Sequence, residues 1–433
     1  MLNAIIETTV LGNSNDISNN TTGSLVTGKS NKEGRGTYNL TVGSNNTIVN
    51  VTDTITTGIT NTVKDSSYNA VFGETNVMSS TIKSIVGGND NSIVSSQSVS
   101  VFGGHHAISQ LTKNSLVSGR TNIEKGGLNN AIFGNIHQTT SETNSIVSGK
   151  GQTIQDGSQN TIFGESHSVN TVTNTLTQGK SNVLHTIKNS GVIGEANDIS
   201  NNVTNSMVAG KENKGGVSQN TAVFGYKNNT QQDENVLVSG NSNTTTSNNA
   251  STVTGRLNVV TDCSDSFVMG ANHNVFSNGR VTVYGEYNDM SGNTINSMVQ
   301  GRHNYLNQLI NSAIFGENQD ISDSTNLLAQ GKSNTVLNAN NSVAVGKENK
   351  LKNVDEVAVF GSKHDISGST IQSIVSGYNN KENNGDYNAT FGTLNEVKNS
   401  KASVITGKSN KDTNGNQSNI MGSFHQVTSS TNT

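Results

Sequence analysis

The chain has 433 residues, a net charge of −4 and neither Pro nor Trp; 13% of its residues are charged and 30% hydrophobic, with Asn, Ser, Thr and Gly dominating the remainder. The small net charge and scattered Lys and Arg give no nucleic-acid footprint, no apolar run approaches the roughly 20 residues of a spanning helix, and the single Cys263 excludes an intrachain disulfide. Composition alone would suggest disorder, but the apolar residues are strictly periodic.

At the start, Met1 to Gly12 has no basic stretch and no long apolar run, so it is not read as a secretory leader. From Gly12 onward a short phrase recurs, as Ser-Ile-Val-Ser-Gly or Asn-Ala-Val-Phe-Gly, and its glycine appears 28 times, the last at Gly422. The spacing is 15 residues, with five spacings of 16 that begin at Gly12, Gly103, Gly194, Gly285 and Gly361. Fifteen residues suit one turn of a narrow roll with two short strands, each coil stacking on the next through parallel pairing about 4.8 Å apart. The expected fold is therefore an all-β parallel β-roll solenoid of about 28 coils, with residues 1–433 as a single domain. The missing Pro agrees, because a central strand cannot spare a backbone donor.

Within a coil, positions are counted from the repeat glycine. Position −2 is Val or Ile in 22 of 28 coils. Positions −3 and −1 face the other way, and they compensate each other in volume. Nine coils carry Phe or Tyr at −1, as at Phe72, Phe102 and Phe133, and these have only Ala, Ser or Thr at −3. Most coils with Ser, Thr or Gln at −1 have a large apolar residue at −3, such as Leu25, Ile146 or Met298. Both faces of this strand are thus apolar, while a roll has one interior. The second face calls for another copy of the chain, which predicts a homo-oligomer. Position +1 alternates in charge (Glu165, Lys180, Glu195, Lys211), forming a ladder. Position +3 is Asn in 20 coils, His in six and Gln in two, and is read as part of a tight left-handed turn whose stacked amides can also hydrogen-bond from coil to coil. Position +5 is mostly apolar and marks the inward contact of the second strand.

The constellations that resemble chemistry reduce to this repeat. His106, His137, His167, His273, His364 and His425 occupy the +3 position, so they are read as structural and not as metal ligands. Asp262-Cys263-Ser264-Asp265 lacks calcium-loop spacing. No nucleophile elbow, P-loop or dinucleotide fingerprint occurs, so no catalysis and no cofactor are expected. Off-pattern aromatics are the better candidates for recognition. Two groups serve as candidate receptor-binding residues: Tyr38, Ile59 and Tyr68 in the first five coils, and Phe276, Tyr287 and Tyr305 where the volume alternation slips.

The phrases Asn341-Ser342-Val343-Ala344-Val345-Gly346 and Asn311-Ser312-Ala313-Ile314-Phe315-Gly316 resemble the Asn-Ser-Val-Ala-Ile-Gly signature of YadA-type heads, the heads of trimeric autotransporter adhesins of Gram-negative bacteria. The resemblance extends through the whole coil series. It departs from the family in having a 15-residue repeat instead of one near fourteen, and in replacing many apolar residues before the glycine by Ser, Thr or Gln. The resemblance implies a left-handed roll, three chains around one axis, and a place on the bacterial outer membrane. The leader, stalk and C-terminal membrane anchor would then lie outside this sequence. It further implies attachment to a host cell-surface protein, a CEACAM-family receptor being the expected partner and extracellular matrix (collagen) an alternative. A phage or toxin fibre built on the same solenoid logic is the other alternative.

Overall fold

The computed structural model describes residues 5–429 and 431, and every regular element among them is a β-strand. They form two units, Met1–Val217 and Ser218–Thr433, each a parallel β-solenoid containing 14 of the repeat glycines. In the first unit the strands Leu25–Lys29, Leu40–Ser44, Ile55–Ile59 and Ala70–Glu74 lie parallel with glycine opposite glycine. The second strands of the same coils, Lys32–Gly34, Thr47–Thr52 and Thr62–Ser67, stack in the same way. The second unit repeats the pattern, with Ala222–Tyr226, Leu237–Asn241 and Thr252–Arg256 in one column and Asn229–Gln231, Thr244–Thr246 and Val259–Thr261 in the other. A third column, not foreseen, runs through position −6 as single bridges such as Thr22 to Thr37 to Thr52 and Gln219 to Glu234 to Asn249.

Two residues per coil make the turn between the strands. The repeat glycine has φ between 109° and 141°. At Gly119 an added Cβ would stand 1.9 Å from the carbonyl oxygen of Gly134 in the next coil. Conformation and coil spacing therefore each demand glycine. The left-handed residue that follows is at +2, not at +3 as expected, for example Ser30 (φ 55°), Asn45 (57°) and Asp90 (55°). This displacement turns the +3 side chain into the roll.

The interior is lined by positions −4, −2, +3, +5 and +8. Positions −2 and +5 supply its apolar part, as in Val117, Ile132, Ile93 and Ile154, all buried. Each such side chain contributes roughly 1.5–3 kcal/mol relative to exposure. Position +3 forms a polar spine. Asn46 Nδ2 donates to Gly58 O (2.9 Å) and Asn31 Oδ1 (3.0 Å), while Asn46 Oδ1 accepts from the backbone N (3.0 Å) and Nδ2 (3.1 Å) of Asn61. A second spine at −4 uses Ser, Thr and Asn: Asn39 N donates to Ser24 Oγ (3.2 Å) and Ser84 N to Asn69 Oδ1 (2.8 Å). Most buried amides and hydroxyls arranged this way are satisfied without water, with Gln152 Oε1, Gln319 Oε1 and His137 Nδ1 in the +3 spine as exceptions.

Candidate functional site: the outer apolar face and the exposed tyrosines

The −3 and −1 side chains emerge on the outer face of the first strand. In the first unit Phe102 and Ile146 are each 44% exposed, and Phe72, Phe133, Phe163, Ile55, Ile85 and Leu176 belong to the same stripe. Register explains the volume alternation. Ile85 stands beside Ala70 and Ser100, while Gly87 stands between Phe72 and Phe102. In the second unit the stripe includes Leu237, Met298, Phe360, Ile374, Phe391 and Val404. The slip in alternation is local: Phe267 and Met269 make one coil large at both positions, next to Thr252 and Thr254, small at both. Phe267 then packs against Tyr284 of the following coil, ring centroids 5.6 Å apart. Contiguous exposed apolar surface of this kind is a candidate contact surface.

The candidate recognition residues fall on different columns. Tyr38 (62% exposed) and Tyr68 (59%) share position −5, two coils apart with Asp53 between them. Both have left-handed backbones (φ 56° and 59°). Ile59 is exposed but sits at +1, at the other end of the first strand, so the three residues do not form one patch. In the second unit Tyr287 (+2, φ 55°) stacks on His303 with centroids 4.8 Å apart and planes 7° apart. Tyr305, 60% exposed, lies two residues beyond His303. Phe276 is half-buried at +6, at the end of its second strand and two coils before Tyr305, apart from the stacked pair.

A left-handed tyrosine costs about 1–2 kcal/mol of backbone strain relative to glycine, and these rings recover little of it by burial. The same column elsewhere carries asparagines that hydrogen-bond along the coils, such as Asn114 to Asn129 (3.0 Å) and Asn129 to Asn144 (2.8 Å). Tyr38 and Tyr68 replace that ladder with exposed aromatic surface.

The remaining polar features serve the fold. The +1 ladder pairs Lys180 with Glu165 (3.8 Å), Lys211 with Glu195 (3.3 Å), and Glu317 with both Arg302 (2.9 Å) and Lys332 (3.2 Å). These pairs are exposed and contribute little individually. His106 takes the place of an asparagine in the +3 spine. Its backbone N donates to Asn91 Oδ1 (3.0 Å), its Nδ1 accepts from Asn122 N (3.1 Å), and its Nε2 faces Phe102 O (3.2 Å). That geometry requires the neutral tautomer protonated on Nε2. Burial lowers the pKa of His106, His137, His167, His273 and His364, in keeping with the neutral form. The Cys263 thiol is buried and pushed up to about 11 by that burial, so it is not a nucleophile at neutral pH. Asp262, Asp265 and Arg280 border an open groove of about 520 Å³. Among the described residues no three His, Cys, Asp or Glu side chains are grouped to hold a metal ion.

Beyond the inward −4 residues, sequence reasoning missed a set of buried acids. Glu33, Glu124 and Glu382 occupy the inward +5 position and Glu142 the inward +8 position, all buried. The first three share the spacing Glu-x-x-Gly-x-x-Asn, which was the available signal.

No known protein family matches this chain, and no curated protein matches it, so its assignment rests on the repeat and on the geometry above.

Proposed function

We propose that the chain is the binding head of a bacterial surface adhesin, assembled as a homotrimer and devoid of catalysis. It attaches to a protein on a host cell, for which the resemblance to YadA-type heads suggests a CEACAM-family receptor. The copies of the chain cover the −3/−1 stripe, and the assembly is displayed at the outer membrane. The observation that carries the reading is the exposure of Tyr38 and Tyr68 at strained left-handed positions, where Asn or Gly would serve the fold better. Rigid, amphipathic rings offer a large contact area at small entropic cost.

The test replaces both tyrosines by glycine, which relieves the backbone strain while deleting the rings. The Tyr38→Gly/Tyr68→Gly chain is expected to fold at least as stably as the parent and to lose receptor binding in a surface-capture assay. Unchanged binding to CEACAM-family receptors and collagen by a folded variant would remove the tyrosines from the site.

A further inference from the structure

Carboxyls buried without a counter-charge are the least comfortable groups inside this roll. Glu124 lies on the second strand Ile123–Lys125, beside Ile108 and Thr139 of the adjoining coils. Its Oε1 accepts from Ser115 Oγ and Asn130 Nδ2, both at 2.9 Å, and its Oε2 has no partner. The side chain folds into the space left by Gly127, where a Cβ would stand 2.0 Å from Oε1. Glu382 repeats this arrangement with Asn388 Nδ2 at 3.0 Å and Gly385 beneath it, again with a partnerless Oε2. Glu142 fills the space above Gly157, bonded to Ser145 and to Asn160 Nδ2 (2.8 Å), its Oε2 also alone. Glu33 sits over Gly36 in the same manner, held by Ser24 Oγ (2.7 Å) and Asn39 Nδ2 (2.9 Å).

We propose that Glu124, Glu142 and Glu382 form an acid-set lock: each is carried inside its coil as the neutral acid, and ionisation of the carboxyl opens the coils around it. An ionised carboxylate here would be a buried, unpaired charge, far costlier than one orphan polar atom. Hydrogen bonds offset part of it, but no cationic side chain acts on any of the three. The inner wall around Glu124 carries His106 and His137, both neutral, and Glu142; Lys125 points outward from its own strand, and Arg120 is exposed. Glu382 is repelled by Asp386; the inward His364 of the preceding coil is neutral, and the strand neighbour Lys381 is exposed. Glu142 lies on the coil of His137, two coils before that of His167, and is repelled by Asp156. Burial pushes the Glu124 carboxyl up to about 7 and raises those of Glu142 and Glu382. A carboxyl raised on folding stabilises fully below its unfolded pKa, and that stability is lost as pH rises through the folded value. For Glu124 the loss therefore runs from about 4.5 to about 7. The buried histidines act in the opposite sense, so the carboxyl effect must be isolated by comparison with a neutral isostere.

The experiment is amide hydrogen exchange on the full chain and on its Glu124→Gln variant, at pH 5 and pH 8, read at amides of the coils flanking residue 124. Comparing the two chains at each pH cancels intrinsic exchange and the histidines. The coil-opening constant of the parent relative to the variant is expected to rise on the order of 100-fold between the two pH values. A ratio that does not change with pH would overturn the proposal. Glu382→Gln gives the same reading in the second unit. Should neither variant fold, the infrared carbonyl band of protonated glutamic acid in the parent at pH 6 decides: its presence supports the lock and its absence overturns it.

Discussion

The ring of Phe102 lies across Gly87 of the preceding coil, so that a Cβ on Gly87 would come within 3.2 Å of the ring. The pair shows how the outer face is built: each large ring leans over a small neighbour, and the stripe stays even in height along the coils. Gly87→Leu should therefore force Phe102 out of its place. The expected cost is about 1–3 kcal/mol, together with weaker self-association. Denaturation of the variant and its sedimentation at several concentrations would check both.

Phe133 makes the same argument from the other side. It is 38% exposed in the single chain, so truncating it takes little from the fold of that chain. Phe133→Ser is expected to weaken assembly while leaving the circular dichroism of the β-roll in place. Adding Ala131→Leu should restore part of the association, because coils of the other kind pair a large −3 residue with serine. A double variant that associates no better than the single one would refute compensation.

The +3 spine gives a stability prediction. Asn46 exchanges hydrogen bonds with Asn31 and Asn61 and reaches the Gly58 carbonyl, all in the buried interior. Asn46→Ala leaves several of those groups unpaired and should cost on the order of 2–4 kcal/mol. Asn46→His should cost much less, because His106 makes equivalent bonds through Nδ1 and Nε2. Chemical denaturation of the two variants side by side is the check.

The histidines set a limit on the acid side. Protonating His106 would place an N–H on Nδ1, facing the Asn122 N–H that it now accepts from. Its pKa is lowered by burial, so its contribution is present above the ordinary value of 6.5 and is lost as pH falls through the folded one. His106→Asn should fold as well as the parent at pH 7.5 and keep more of its stability at pH 5. Thermal unfolding at the two pH values would show it, and a variant less stable than the parent at pH 7.5 would contradict the structural role.

The coil architecture was legible because packing repeats: Val and Ile at −2 and the compensating volumes at −3 and −1 follow a strict period. The left-handed turn was misplaced by one residue, because Asn favours both turns and side-chain ladders, and at +3 only the ladder is used. The polar half of the interior was hidden for a related reason. Ser24, Asn39 and Thr54 carry no apolar signal, yet in a narrow roll they face inward and bond to the next coil. The buried glutamates escaped because a lone Glu among polar residues is usually solvated, and only a glycine makes room for it, three residues on for Glu33, Glu124 and Glu382 and one coil on, at Gly157, for Glu142. Of the candidate recognition residues, the repeat already puts Tyr38 and Tyr68 together at −5. The structure adds their left-handed backbones and their exposure, and it places Ile59 at the far end of the first strand.

The central claim is that copies of this chain close the −3/−1 face against one another. Light scattering coupled to size exclusion, at micromolar concentration and neutral pH, tests it most directly. The account predicts a stable species of three times the 45.4 kDa chain mass that does not dissociate on dilution. A stable, soluble monomer that keeps its β-roll spectrum and its exposed phenylalanines would contradict it.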